Sequence, residues 1–167
     1  MPQFTDIWEV TPETAHPRAR QLLSDSNVWD YGDEDSPLGN DTGADTFAAY
    51  LTFRAEQPSA GVQEFIREQL ASLGVSDADW DLLDGAGLQA ALEVDNGFST
   101  LTRDDFIIGL AFAQFLVEGT VDAEVKRRAQ MALRRQATGV VLSFRGGGSE
   151  DARKRQLMEL HSVLESI

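Results

Sequence analysis

The chain has 167 residues, of which 42% are hydrophobic and 25% charged, with a formal net charge of −14 and no cysteine. That length and apolar content can bury a core in one domain without covalent staples, and the lack of cysteine excludes disulfides, thiolate catalysis and Cys-ligated zinc or iron–sulfur centres. No apolar run reaches the ~18–20 residues of a spanning helix. Met1-Pro-Gln-Phe-Thr-Asp has neither a basic nor an apolar leader character, so a cytoplasmic, bacterial-type protein is expected.

The charge is uneven. Residues 1–100 hold 19 Asp/Glu against 4 Arg, whereas residues 101–167 hold 9 against 10 Lys/Arg. Such an acidic first part repels nucleic acid and anionic membrane, because phosphate neutralisation needs a basic surface. A basic partner, a bound cation or plain solubility would each account for it.

Taken in order, residues 1–10 alternate loosely, with Phe4, Ile7, Trp8 and Val10 apolar, and predict a short strand or an extended N-terminal arm. Thr11-Pro-Glu-Thr reads as a helix start, the helix running to about Leu23 with a restart at Pro17. An acidic loop covers 28–41. Asp41 or Thr42 then caps a helix over about 43–57, with Ala44, Phe47, Ala48 and Leu51 on one face. Pro58 ends it, Ser59 caps the next helix to Leu73, and Gly74 stands at its left-handed C-terminal position.

Ser76 predicts a short helix around Trp80, interrupted by Gly85 and Gly87, before another from Leu88 to about Val94. Asp95-Asn96-Gly97 is a turn. Thr102 and Asp105 form a capping-box-like start for a helix over about 103–118, apolar on nearly every side from Phe106 to Val117, which places it at the centre of the molecule. Gly119 closes it. Asp122 caps an amphipathic helix to about Ala137, whose Arg127, Arg128, Arg134 and Arg135 read as an outer stripe: a solvated face or a site for phosphate or an acidic partner. Residues 138–148 fit either a short strand or a helical turn, 145–149 form a flexible Gly-rich break, and Ser149 caps the last helix. The expected fold is all-α, a single compact domain of about seven helices around the helix at 103–118.

Chemistry concentrates in one stretch. Trp29 and Tyr31 lead into Asp30, Asp33, Glu34 and Asp35, followed by a Pro37/Gly39 turn and then Asn40, Asp41 and Asp45. Carboxylates on a turn can hold calcium or magnesium through oxygen, with Asp33, Asp35 and Asp41 as the candidate ligands. The EF-hand register fails, because Pro37 and Ala44 fall where ligands are required. The same residues also read as the capped start of a helix, or as a recognition surface for a basic, partly apolar partner. His16 and His161 lie far apart and build no His-rich metal site. His16 with a loop carboxylate such as Asp41 would make a general base. Gly146-Gly-Gly-Ser149 lacks the Gly-Lys-Ser/Thr ending of a phosphate loop.

His16-Pro-Arg-Ala-Arg-Gln-Leu-Leu, together with Trp29-Asp-x-x-Asp33-Glu34-x-Ser36-Pro37-Leu38-Gly39-Asn40-Asp41-x-Gly43-Ala44-Asp45-Thr46, resembles the N-terminal signature of the YfeS-like family of small bacterial proteins. Thr102-Arg-Asp-Asp105, the Ala-Phe-Ala-Gln114 segment and Arg134-Arg-Gln136 are similar to that family's second half. The resemblance covers about residues 14–136. It implies a helical cytoplasmic bacterial domain and marks 29–46 as the signature, without supplying an activity. The leading expectation is a non-enzymatic interaction or regulatory module acting through Trp29, Asp30, Tyr31, Asp33, Glu34, Asp35, Asn40, Asp41 and Asp45, with a cation-binding protein or a hydrolase using Asp/Glu and His16 as alternatives.

Overall fold

In the computed structural model, which describes residues 4–167, every regular element is helical and no strand occurs among the described residues. Eight α-helices follow in order: α1 (Pro17–Leu22), α2 (Asp41–Glu56), α3 (Val62–Leu73), α4 (Gly85–Val94), α5 (Phe98–Glu118), α6 (Ala123–Gln136), α7 (Gly139–Arg145) and α8 (Glu150–Ser166). α5 is the central element, with Phe106 to Val117 buried without interruption. α2 and α6 pack most heavily on it, and α8 lies on α6. None of the helices is long and apolar enough to cross a membrane.

The first three residues of the expected arm lie outside the described residues. The remainder is not a strand. Ile7–Glu9 is a single 3₁₀ turn, closed at its start by a capping box between Asp6 and Glu9, with Phe4 and Val10 buried on either side.

Several boundaries differ from the sequence expectation, each for a local reason. Thr11 closes a separate turn, accepting from the amides of Thr14 and Ala15 at 3.1 and 2.9 Å. α1 therefore starts only at Pro17, whose missing N–H costs nothing at a first position. Asn40, rather than Asp41 or Thr42, caps α2. Gly61, rather than Ser59, precedes α3, with no side-chain cap. α5 begins at Phe98, before the Thr102–Asp105 box, because Asn96 and Gly97 both turn with positive φ and the Asp95 carboxylate takes the Ser99 amide at 3.0 Å. The ambiguous segment after 138 is helical, capped by Thr138, and Gly146 to Gly148 all have positive φ.

The helix expected around Trp80 is absent. Residues 75–84 run as an irregular strap, because arginines capture the carbonyls that a helix would use. Arg135 donates to the oxygens of Trp80 and Leu82 at 3.0 and 2.8 Å. Arg103 donates to the oxygens of Ala78 and Asp79. Trp80 lies between the guanidinium groups of Arg103 and Arg128, 5.0 and 4.6 Å from its ring. Asp84 then caps α4, so Gly85 and Gly87 sit in its first turn instead of interrupting a helix.

A backbone-close contact in the core joins α2 to α5. A Cβ on Gly109 would lie 3.0 Å from the Gly43 Cα, and one on Gly43 would lie 2.0 Å from the Pro37 carbonyl oxygen. Forcing a methyl group into such a packed contact costs about 1–3 kcal/mol. Gly43→Ala should therefore lower the unfolding free energy by at least that much, whereas Gly85→Ala, which meets nothing within 4 Å, should be neutral or stabilising by up to about 1 kcal/mol. Denaturant unfolding of the two variants reads the contrast.

Candidate binding groove

The acidic stretch folds into a wedge between the N-terminal turn and the start of α2. Ser36, Pro37 and Leu38 are buried beneath it. Gly39 is required by close approach, since a Cβ there would lie 2.2 Å from the Asp33 carbonyl oxygen. Asn40 ties the wedge to the helix: its Oδ1 accepts from the Gly43 amide at 2.8 Å and its Nδ2 donates to the Ser36 oxygen at 3.0 Å. Asp30 and Asp33 are engaged in local turns, accepting from the amides of Gly32 and Asp35 at 3.1 and 2.9 Å.

The aromatic pair holds this wedge to the core and is only partly exposed. Trp29 Nε1 donates to the Leu23 oxygen at 2.7 Å, and the Tyr31 hydroxyl donates to the Val10 oxygen at 2.5 Å. Tyr31 also meets Phe47 edge-on. The exposed aromatic of this region is Trp8, one of the apolar residues of the N-terminal segment, 66% accessible and edge-on to Tyr31.

Glu34, Asp35, Asn40 and Asp41 form one wall of a groove of about 860 Å³. The opposite wall is the α7–α8 corner: Arg145, Gly146 to Ser149, then Arg153, Arg155 and Glu159. Asp30 and Asp45 are exposed and lie outside the lining.

Two of the three arginines are already committed. Arg153 donates to the Asp35 carbonyl oxygen at 2.7 Å and to the Gln136 Oε1 at 3.3 Å, and lies 3.6 Å from the Asp35 carboxylate. Burial pushes its guanidinium down, and Asp35 opposes that shift. Arg145 makes a two-pronged contact with Asp105 at 3.0 Å to each oxygen, and Gln136 donates to the same carboxylate at 2.7 Å. Asp105 thus holds Arg145 and Gln136 instead of capping a helix start. Among the described residues Glu34, Asp41 and Glu159 enter no ion pair, and neither does Arg155. The unneutralised charge of the groove is acidic.

Other candidates lie elsewhere. Asp33, Asp35 and Asp41 do not come together as a ligand set, and among the described residues no group of three His, Asp or Glu is arranged to hold a metal ion. His16 caps α1, its Nδ1 accepting from the Arg18 amide at 3.2 Å while its own amide donates to the Leu116 oxygen at 2.8 Å. That puts it near the end of α5, seven residues or about 10 Å along the axis from Gly109, where α2 begins. His161 faces Glu165 on α8.

The arginines of α6 do not form an outer stripe. Arg135 is fully buried against the equally buried Asp104 at 2.8 Å, Arg128 lies on Trp80, and Arg127 pairs with Glu124. Among the described residues Arg134 alone of the four enters no ion pair, and it is exposed, as is Arg127. The groove's α8 residues were not read from sequence, since Arg153 meets Asp35 across 118 residues and no local pattern announces that contact. No family model, curated protein or solved structure matches the chain.

The tyrosines give a pH test of the wedge. Burial pushes Tyr31 up to about 12, and burial together with Glu118 raises Tyr50. An unfolded tyrosine ionises near pH 10. The folded state therefore holds its protons longer, and this part of its stability is present below pH ~10 and lost as pH rises through about 12. Ultraviolet titration should show no tyrosinate step near pH ~10 in the folded protein, and Tyr31→Phe should shift the alkaline unfolding midpoint.

Proposed function

We propose that the chain is a non-enzymatic interaction module that captures a basic segment of a protein partner in the groove between the acidic wedge and the α7–α8 corner. The observation that carries this reading is the charge balance of the groove. Its Arg145 and Arg153 are spent on Asp105 and Asp35, while among the described residues Glu34, Asp41 and Glu159 enter no ion pair and outnumber the one unpaired cation of the lining, Arg155. A cation entering there meets free carboxylates without having to break an internal pair. The net charge of −14 adds long-range attraction for the same partner.

This reading takes precedence over a calcium or magnesium site, because the named carboxylates do not converge. It also takes precedence over a hydrolase, because His16 is occupied as a helix cap away from the groove. Of the surface expected from sequence, Glu34, Asp35, Asn40 and Asp41 line the groove, Trp29, Asp30, Tyr31, Asp33 and Asp45 do not, and Glu159 is added.

The test is a charge reversal. Glu34 and Asp41 are exposed, so Glu34→Lys with Asp41→Lys should fold as the parent does. A trilysine peptide should bind the parent with an affinity that falls as salt rises, and about tenfold more weakly to the double variant, the equivalent of ~1.4 kcal/mol. Equal binding to both proteins, at matched melting temperatures, would defeat the proposal.

A further inference from the structure

The Asp95-Asn96-Gly97 turn joins α4 to α5 outside the lining of the groove. Its φ angles are 56° at Asn96 and 79° at Gly97, and the Phe98 amide closes it by donating to the Asp95 oxygen at 3.3 Å. Asn-Gly is the pair that best tolerates left-handed geometry at both central positions. Asn96 is exposed, and among the described residues neither its side chain nor the Gly97 amide enters a hydrogen bond.

The chain's other two asparagines are protected. Asn40 is held at both ends of its carboxamide, by the Gly43 amide and the Ser36 oxygen. Asn27 has a buried Nδ2 and is followed by Val28, whose branched side chain shields the next amide nitrogen. Gly97 has no Cβ, so nothing on its own residue hinders approach of its nitrogen to the Asn96 Cγ.

We propose that Asn96 is a site of spontaneous deamidation, and that its isoaspartyl product loosens the corner where α4, α5 and α7 meet. The Gly97 nitrogen gives up its proton to water and adds to the Asn96 Cγ. The N–Cγ bond forms, the Cγ–Nδ2 bond breaks, and ammonia leaves with a proton taken back from water, closing a succinimide. Water then opens the ring. Attack at Cγ restores the main chain and leaves an aspartyl side chain. Attack at the Asn96 main-chain carbonyl carbon leaves the chain running through Cβ and Cγ, an isoaspartyl link. Either way one water is consumed, one ammonia is released, and nothing is oxidised or reduced.

The two products differ in consequence. A carboxylate beside the first turn of α5 is favoured by the helix dipole. The isoaspartyl link instead inserts a main-chain carbon where the left-handed pair sets the start of α5. Gly97 has little room to move, since a Cβ there would lie 2.5 Å from the Phe144 ring. Phe144 in turn packs on a small cluster of Leu88, Leu92 and Val141, which is separate from the main core. α7 also supplies Leu142 and Arg145 to the groove, so this chemistry reaches a groove wall whatever the groove binds.

The experiment ages the full chain and its Asn96→Gly variant side by side in mildly alkaline buffer, with fresh Asn96→Asp as a third sample. Glycine keeps the left-handed φ and removes the carboxamide. Asn96→Asp adds the charge without the extra carbon. Trypsin separates residues 21–54, which carry Asn27 and Asn40, from residues 68–103, which carry Asn96. In the aged parent the 68–103 peptide should gain the mass difference between a carboxamide and a carboxyl group and resolve into aspartyl and isoaspartyl forms, while 21–54 stays unchanged. Amides of residues 98–102 and 139–145 should exchange with deuterium faster in the aged parent than in aged Asn96→Gly or fresh Asn96→Asp.

An unmodified 68–103 peptide, after a time in which a synthetic peptide of residues 93–102 is fully converted, would overturn the site. So would equal conversion of 21–54. Conversion at Asn96 with exchange no faster than in fresh Asn96→Asp would overturn the loosening of the corner.

Discussion

The contact on which the molecule depends is the close passage of α2 over α5 at Gly43 and Gly109. With no side chain on either residue the two helices approach to backbone distance, and the Pro37 carbonyl fits against the first turn of α2. Any Cβ there would push α2 outward and open the core beside Phe47, Tyr50 and Leu51, all of which are buried. The same contact fixes where α2 begins. Asn40 must then stand at the cap, and the chain before it has room only for a tight wedge folded over Gly39. The Pro37-Leu38-Gly39-Asn40-Asp41-x-Gly43 motif is therefore explained by packing. Its chemistry lies in the carboxylates that this packing leaves pointing outward.

Charge is used in two distinct ways. Inside, Asp104–Arg135 is fully buried, and the guanidinium also takes two carbonyls of the strap. A buried pair of this kind contributes little net stability, because desolvation offsets most of the attraction, but losing one partner leaves an uncompensated charge. Its consequence is positional: it holds residues 75–84 in an irregular path and keeps Trp80 between two guanidinium groups. At the groove, Asp35–Arg153 and Asp105–Arg145 link the wedge, α5, α7 and α8 into one frame. Exposed ion pairs are worth only ~0–1 kcal/mol each. What they decide is which charges are left free, and the free ones are mainly carboxylates.

The aromatic residues show how burial redistributes roles. Trp29 and Tyr31 look like contact residues when viewed beside a run of acids. Both direct their polar atoms to backbone carbonyls of the N-terminal segment, and both rest on the core. An indole N–H or phenol O–H at a half-buried site needs such a partner, so these residues are anchors that let the wedge keep its shape. Trp8 has no such constraint and remains the accessible aromatic ring of that face.

Much of the fold was legible in the sequence. The all-round apolar run from Phe106 to Val117 identified the central helix. Gly74 and Gly119 marked two helix ends, and Asp122 and Ser149 marked two starts. These signals are local: a cap or a left-handed glycine acts within one turn, and helical periodicity needs no distant partner. The start of α5, the absence of a helix at Trp80 and the burial of Arg135 were not legible, because each depends on side chains arriving from another element. The acidic wedge could be found from its composition. Its function as the wall of a groove could not, because the facing wall is more than a hundred residues away in the chain. Which carboxylates are neutralised and which remain free is set by long-range geometry, and only the packed helices decide it.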